Sequence, residues 1–259
     1  MSSSLSDACV LFLHGGPGLS AEMERRRYRA SLAVHWWDQP RIPANTPKAF
    51  DALAEAAELE VKHMADAQGD RVSLLASSFG ALLALALLNR IPEMIGAVTF
   101  SGGVLDQRAA FMRFGRRLAQ KLSDQRLRQA VDAAAENPTR ECLWTLINAI
   151  IATPGFIDEY WSPWAVEQCT TMRELATQGT LLDFETFEAV VNDVLAVPLP
   201  PIPQDPRRYI RVVIGRHDPY AEMGDVDHWR KWFPAATVEL VEAGHFPHLE
   251  LPRELWLPA

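Results

Sequence analysis

The chain has 259 residues, 48% hydrophobic and 22% charged, enough apolar material for one sizeable core with room for an inserted subdomain. Its formal net charge of −8 argues against nucleic acid or an anionic membrane surface as a partner, since both recruit clustered Lys and Arg. The one basic cluster, Arg25, Arg26, Arg27 and Arg29, is short, lies among acidic neighbours and reads as a solvated helix face.

Short apolar runs alternate with longer amphipathic segments, the pattern of a parallel sheet wrapped by helices. Ala8 to Leu13 is an apolar strand ending in a Gly-rich turn, and Ser31 to Trp37 is a second, closing on Asp38-Gln39-Pro40. Phe50, Leu53, Ala57, Val61 and Met64 recur at helical spacing and predict a helix over 48–67, ended by Gly69-Asp70. A strand over Arg71 to Ala76 leads into an almost wholly apolar helix, Phe79 to Asn89, and Ile95 to Phe100 forms the fourth strand. Strand and helix resume late, with Tyr209 to Ile214, then Glu222 to Phe233 closed by Pro234, then Thr237 to Val241.

Between these halves, apolar positions such as Leu143, Leu146, Ile147 and Ile150, then Phe184, Phe187 and Val191, fall only at helical spacing. The proline-rich stretch Pro198 to Pro203 stiffens the return to the sheet. The expected organisation is an α/β core over 1–103 and 204–259, with a helical cap, 104–203, inserted between its halves.

The cysteines, Cys9, Cys142 and Cys169, are odd in number and lack CxxC or Cys/His pairing, so neither a disulfide framework nor a zinc site is expected. Cys9 reads as a small core residue. The polar start, Met1 to Asp7, has no signal-peptide pattern, and no apolar stretch reaches the roughly 18 residues of a membrane span. A cytoplasmic protein acting on a small molecule is expected, without metal, cofactor or membrane. Oligomeric state is not legible.

Chemistry concentrates at Ala76-Ser77-Ser78-Phe79-Gly80, between a buried strand and a buried helix. A serine hydroxyl needs a base, access and oxyanion donors, and a tight strand-to-helix turn provides the last two. Small residues two before and two after the serine let strand and helix approach, which is the content of the G-x-S-x-G elbow. Alanine holds the first of those places here. Taken alone, the pentapeptide also reads as a serine-rich βα turn. Ser77 is the rival nucleophile, but its flanking pair would be Leu75 and Phe79, too bulky for the turn, so Ser78 is favoured. Leu13-His14-Gly15-Gly16-Pro17-Gly18 leaves the first strand, and its paired glycines free a backbone N–H to face an oxyanion.

With these motifs in this order, the chain resembles the α/β-hydrolase superfamily, and its HGGPG loop is similar to that of the proline iminopeptidase branch. Asp38-Gln39 after the second strand adds to the resemblance, which covers roughly 8–103 and 207–255. It implies a Ser, Asp, His order, and Arg216-His217-Asp218-Pro219 and Ala243-Gly244-His245-Phe246 fill the last two places. By position, Ser78 is the nucleophile, His245 the base, Asp218 its orienting acid, and the Gly16 and Phe79 N–H groups the oxyanion donors. His14 and Gly15 support that loop.

Competing residues are His248, three beyond His245 on the first turn of a C-terminal helix; His217; and Asp106, an acid in a variant layout. His35 and His63 read as strand and helix residues, and His228 as a surface helix residue. Trp144, Trp161 and Trp164 are open between lining an acyl pocket and packing the cap.

Related chains usually carry two strands before the HGGPG loop. Only about a dozen residues precede His14, so about six strands are expected and the leading hairpin is absent. Asp38-Gln39 runs into Pro40-Arg41-Ile42-Pro43, and the cap shows no acidic cluster to hold a free amine, both departures from the aminopeptidase branch. The expected activity is cofactor-independent hydrolysis of an ester or thioester, ahead of an amide, through an acyl-enzyme. A proline-iminopeptidase-like aminopeptidase and an acyltransferase or cyclase are the alternatives. A non-catalytic binding module on this fold is disfavoured, because every triad position is filled.

Overall fold

The computed structural model describes residues 9–28, 33–196, 209–222 and 224–257. Met1 to Ala8, Arg29, Ser31 and Pro198 to Pro203 lie outside the described residues, as does the predicted boundary at 203–204.

Six strands form one sheet in the order β2-β1-β3-β4-β5-β6: β1 Val10–Leu13, β2 Val34–Trp36, β3 Val72–Ser77, β4 Ile95–Ser101, β5 Ile210–Gly215 and β6 Thr237–Val241. Every neighbouring pair is parallel. Parallel strands need crossovers, and helices α1 Glu22–Tyr28, α2 Ala49–Gln68, α3 Gly80–Arg90 and α9 Asp225–Trp232 provide them. Period-2 alternation sends Leu11, Leu13, Leu74, Ala76, Phe100 and Ile214 into one core with α2, α3 and α9. Val10, Phe12, Val34 and Leu75 face the other side, against Ala21 and the fully buried Trp256. Burial on both faces explains the near-continuous apolar strands.

Registers align the carboxyl ends. Leu13 pairs with Ala76, Ser77 with Ser101, Ser101 with Val213, and Gly215 with Val241. The turns after β1, β3, β4, β5 and β6 therefore gather along one edge, where ligands bind in open α/β sheets.

Between β4 and β5 run α4 Gln107–Leu122, α5 Gln125–Glu136, α6 Arg140–Ile151, α7 Val166–Thr177 and α8 Phe184–Ala196, with a 3-10 turn at Phe156–Tyr160. Asp106, Asp124 and Thr139 cap α4, α5 and α6 through side-chain oxygens, and each cap typically contributes about 1 kcal/mol. Phe114, Leu118, Leu127, Val131, Leu143 and Leu146 form a separate core shared with Phe187 and Val191 of α8. Helix α7 packs Met172 and Leu175 with Met23, Trp161 and Phe246. Helix α8 reaches α2, where Asp193 accepts the Phe50 N–H at 2.9 Å.

The expected strand at Ser31–Trp37 is shorter, Val34–Trp36, and the helix expected from Glu222 starts at Asp225. Cys9 corrects an expectation: it precedes β1 and is exposed, its thiol facing the Ala33 carbonyl at 3.8 Å, because the fully covered part of the strand begins at Val10. No helix among the described residues is long and apolar enough to cross a membrane.

Candidate active site

Strand β3 ends at Ser77 and α3 begins at Gly80, leaving Ser78 to turn the chain with φ of 49°. That left-handed backbone is rare for a side-chain-bearing residue and costs of order 1–3 kcal/mol. Strand β4 and the loop after it hold it, with Ser78 N–H donating to the Ser101 carbonyl at 3.3 Å and Val104 N–H donating to the Ser78 carbonyl at 3.0 Å. Only glycine fits at position 80, because a Cβ there would lie 2.1 Å from the Leu13 carbonyl oxygen.

The turn aims Ser78 Oγ at His245 Nε2, 2.7 Å away, and His245 Nδ1 lies 2.9 Å from Asp218 Oδ2. Asp218 and His245 are buried, while Ser78 is half-buried. Asp218 follows β5, and its second oxygen accepts the Tyr220 N–H at 2.8 Å. His245 follows β6, and its own N–H donates to the Tyr160 carbonyl at 2.6 Å. With Nδ1–H given to the carboxylate, Nε2 is free to accept from the serine hydroxyl.

The loop after β1 closes on the same point. A Cβ on Gly15 would sit 2.8 Å from Ser78 Cβ. The Gly16 and Phe79 N–H groups have no acceptor among the described residues, and both residues border the pocket that holds Ser78 and His245. The Phe79 N–H is also one of the free donors at the start of α3, where a negative charge is favoured. His14 is buried behind this loop, its Nδ1 2.9 Å from the Gly15 carbonyl and its Nε2 accepting the Gln39 N–H at 3.1 Å. Burial lowers its pKa below the ordinary 6.5, against the opposing pull of the Gly15 carbonyl and the Glu24 and Asp38 charges. Asp38 ties the same region to α1, accepting the Ala21 N–H at 2.9 Å and pairing with Arg25 at 3.0 Å. Partial burial acts to raise its carboxyl, but Arg25 and the Ala21 N–H outweigh it and hold the value below the usual range.

The pocket above Ser78 has a volume of about 150 Å³ and is walled by Phe111, Ile147, Ile150, Leu182, Phe187 and Val191. An apolar cavity of about that size is enough for a benzene-sized group. Among the described residues no carboxylate borders it.

The competing residues lie elsewhere. His248 is fully buried, with Nδ1 3.1 Å from Ser101 Oγ and Nε2 2.9 Å from Glu24 Oε1, and Tyr28 donates its hydroxyl to the His248 carbonyl. His217 lies near Glu242 and against Trp164, and His228 beside Asp225 on the surface of α9. His35 pairs with Glu60, and His63 is an exposed residue of α2. Asp106 caps α4 and borders a different cavity of about 260 Å³ that lacks Ser78. None of the three tryptophans lines the pocket. Trp144 bonds Asn192, Trp161 packs on Phe246, and Trp164 is exposed.

Sequence reasoning missed three contributors. Tyr220 stands two residues past Asp218, a spacing that could have marked it. Tyr160 and Glu250 carry no local signal. Glu250 accepts the Gly244 N–H at 2.9 Å and the Ser162 hydroxyl, joining the turn before His245 to the segment after the 3-10 turn.

Among the described residues no cluster of His, Cys, Asp and Glu could hold a metal. A parallel sheet with a serine elbow at its carboxyl edge and an acid and a histidine on the following turns is the architecture of the α/β-hydrolases. The alpha/beta hydrolase family model matches residues 10–256, and the chain belongs to that family. Among solved structures it is similar to a proline iminopeptidase-related protein from Thermus thermophilus, at 21% identity over 97% of this chain and 87% of that one, with a TM-score of 0.67. It is similar to an N-acyl homoserine lactone degrading enzyme at 17% identity, covering 95% and 90% of the two chains, with a TM-score of 0.62. An esterase from Exiguobacterium antarcticum matches at 14% identity over 95% and 87%, with a TM-score of 0.61. Identities this low establish the shared fold. No curated protein sequence matches the chain.

Proposed function

We propose that the protein is a serine hydrolase that cleaves small apolar esters or thioesters through an acyl-enzyme. The observation that carries this reading is the continuous chain Asp218–His245–Ser78, linked at 2.9 and 2.7 Å, in an apolar pocket bordered by the Gly16 and Phe79 N–H groups.

Ser78 Oγ attacks the acyl carbon while its proton passes to His245 Nε2, and the charge that develops on the carbonyl oxygen meets the Gly16 and Phe79 N–H groups. Each such donor typically contributes about 3–4 kcal/mol to the transition state. Collapse breaks the bond to the leaving oxygen or sulfur, which takes the proton from His245. Water then attacks the acyl-enzyme, gives its proton to His245 and releases the acid, and the proton returns to Ser78. Asp218 holds the Nδ1–H throughout and stabilises the imidazolium.

The helices between β4 and β5 act in this reading as a cap over the core, closing the pocket with Ile147, Ile150, Phe187 and Val191. Its apolar lining favours ester or thioester over an N-terminal prolyl amide, whose free ammonium needs a carboxylate partner. The free thiols of Cys9, Cys142 and Cys169 are in keeping with a reducing, cytoplasmic setting.

A fluorophosphonate probe tests the nucleophile. Labelling of the wild type that disappears in Ser78→Ala is expected, and labelling that persists would sink the assignment. A panel of short acyl esters, acyl thioesters and prolyl anilides, run beside that variant, tests the bond type. Turnover confined to prolyl anilides would replace this reading with an aminopeptidase.

A further inference from the structure

Two phenols meet over the ring of His245. Tyr160 ends the 3-10 turn of the helical segment, and Tyr220 follows Asp218. Their ring centroids lie 5.6 and 4.8 Å from that of His245, and their hydroxyl oxygens are 3.0 Å apart. Both border the pocket that contains Ser78. Tyr220 is anchored from two sides, its N–H donating to Asp218 and its carbonyl accepting from Arg113 Nε at 2.6 Å. Tyr160 is anchored through its carbonyl, which accepts the His245 N–H.

The hydrogen-bond inventory of this pair does not close. Two hydroxyls bring two protons, and the bond between them uses one. Whichever tyrosine accepts that bond keeps its own O–H, for which there is no acceptor among the described residues. Burial raises both pKa values, that of Tyr160 to about 12 and that of Tyr220 well above 10, so neither ionises near neutral pH. Of the surrounding wall, Phe111, Phe156 and Phe246 offer the proton nothing, and neither phenol bonds Gln107, the amide at its edge. An apolar pocket that keeps one such donor beside the reacting histidine is built for a ligand that carries an acceptor there.

We propose that Tyr160 and Tyr220 form a specificity-determining donor pair that hydrogen-bonds a second oxygen of the substrate, beyond the scissile carbonyl. The substrate class is then a small apolar ester bearing an ether, keto or hydroxyl oxygen, in preference to a plain alkyl ester. The inference rests on the hydrolase reading of this pocket. Discrimination arises because the methylene analogue buries the phenol proton without a partner.

Two isosteric pairs test it: p-nitrophenyl methoxyacetate against p-nitrophenyl butyrate, with the oxygen in the acyl half, and 2-methoxyethyl butyrate against butyl butyrate, with it in the alcohol half. The readout is the oxygen-over-methylene ratio of kcat/KM, divided by the same ratio for alkaline hydrolysis to remove intrinsic reactivity. In the wild type this quotient is expected to exceed one by roughly tenfold for at least one pair, the value of one hydrogen bond. In the double variant Tyr160→Phe/Tyr220→Phe, which keeps both rings, it falls to about one. A wild-type quotient near one for both pairs overturns the proposal without any variant, as does a raised quotient that survives in a folded double variant. Absence of turnover of all four esters overturns this proposal, and with it the hydrolase reading if the fluorophosphonate probe also fails to label, whereas turnover without oxygen preference overturns this proposal alone.

Discussion

Gln39 grips His14 at both ends: its backbone N–H donates to the imidazole Nε2 at 3.1 Å, and its side-chain amide donates to the His14 carbonyl at 3.0 Å. The first bond requires an unprotonated Nε2, and burial already disfavours the charged ring. The unfolded chain takes up a proton at His14 near pH 6.5, while the folded chain resists until lower pH. Between the two values the unfolded state binds more protons, so stability falls as pH falls. His14→Asn removes this term. The stability of the wild type relative to the variant, from urea midpoints, is expected to shrink between about pH 7 and 5, by no more than about 1.4 kcal/mol per pH unit, the limit for one proton. A constant or growing difference would contradict it.

Gly15→Ala tests the approach of the loop to the elbow. The added methyl group starts 2.8 Å from Ser78 Cβ and 3.5 Å from Ser78 Oγ, so the loop must retreat and carry the Gly16 N–H with it. Displacement near 1 Å costs on the order of 10²-fold in rate. A drop of that size in ester kcat/KM is expected, with an unchanged circular dichroism spectrum; retained full activity would show that the loop does not serve the reaction.

Asp218→Asn keeps the shape of the side chain but turns an acceptor toward a donor. An amide NH2 facing Nδ1 stabilises the tautomer with its proton on Nε2, which cannot accept from Ser78. The expected loss in kcat is about 10⁴-fold. Thermal unfolding in parallel separates this from collapse of the fold.

Glu250 acts on the same histidine at one remove, through Gly244 and Ser162. Glu250→Ala leaves both donors without their partner, at about 1–3 kcal/mol, and frees the turn that carries His245. Both the urea midpoint and the fluorophosphonate labelling rate are expected to fall. A fall in stability alone would confine Glu250 to holding the helical segment in place.

His245 and His248 show what was legible and what was not. Both stand in Gly244-His245-Phe246-Pro247-His248 with no local feature of charge or hydrophobicity to separate them, and only the resemblance to a G-H turn favoured the first. In the fold the short helix α10 (Pro247–Glu250) starts between them, and one ring meets Ser78 while the other meets Ser101 and Glu24. Ser101–His248–Glu24 is also a serine–histidine–carboxylate chain, with Glu in place of Asp and the two ring nitrogens exchanged, but it lies buried outside the pocket.

What the sequence by itself determined is the set of elements and their order. Period-2 and period-3.6 patterns, the small residues around Ser78 and the paired glycines after β1 are local signals, each read within one turn or strand. From them came the sheet, the elbow and the candidate Ser78, while Asp218 and His245 came from the resemblance to the α/β-hydrolases. Only the tertiary structure decided that Tyr160 and Tyr220 meet across 60 residues, that Glu250 joins Ser162 across 88, and that Cys9 faces outward. Such contacts depend on how helices pack over a sheet edge, and packing is satisfied by volume and hydrogen bonds from any part of the chain. The elbow at Ser78 was therefore readable from its pentapeptide together with its place among the glycine loop and the late Asp and His turns, while the walls and donors of the pocket above it emerged only when the chain was folded.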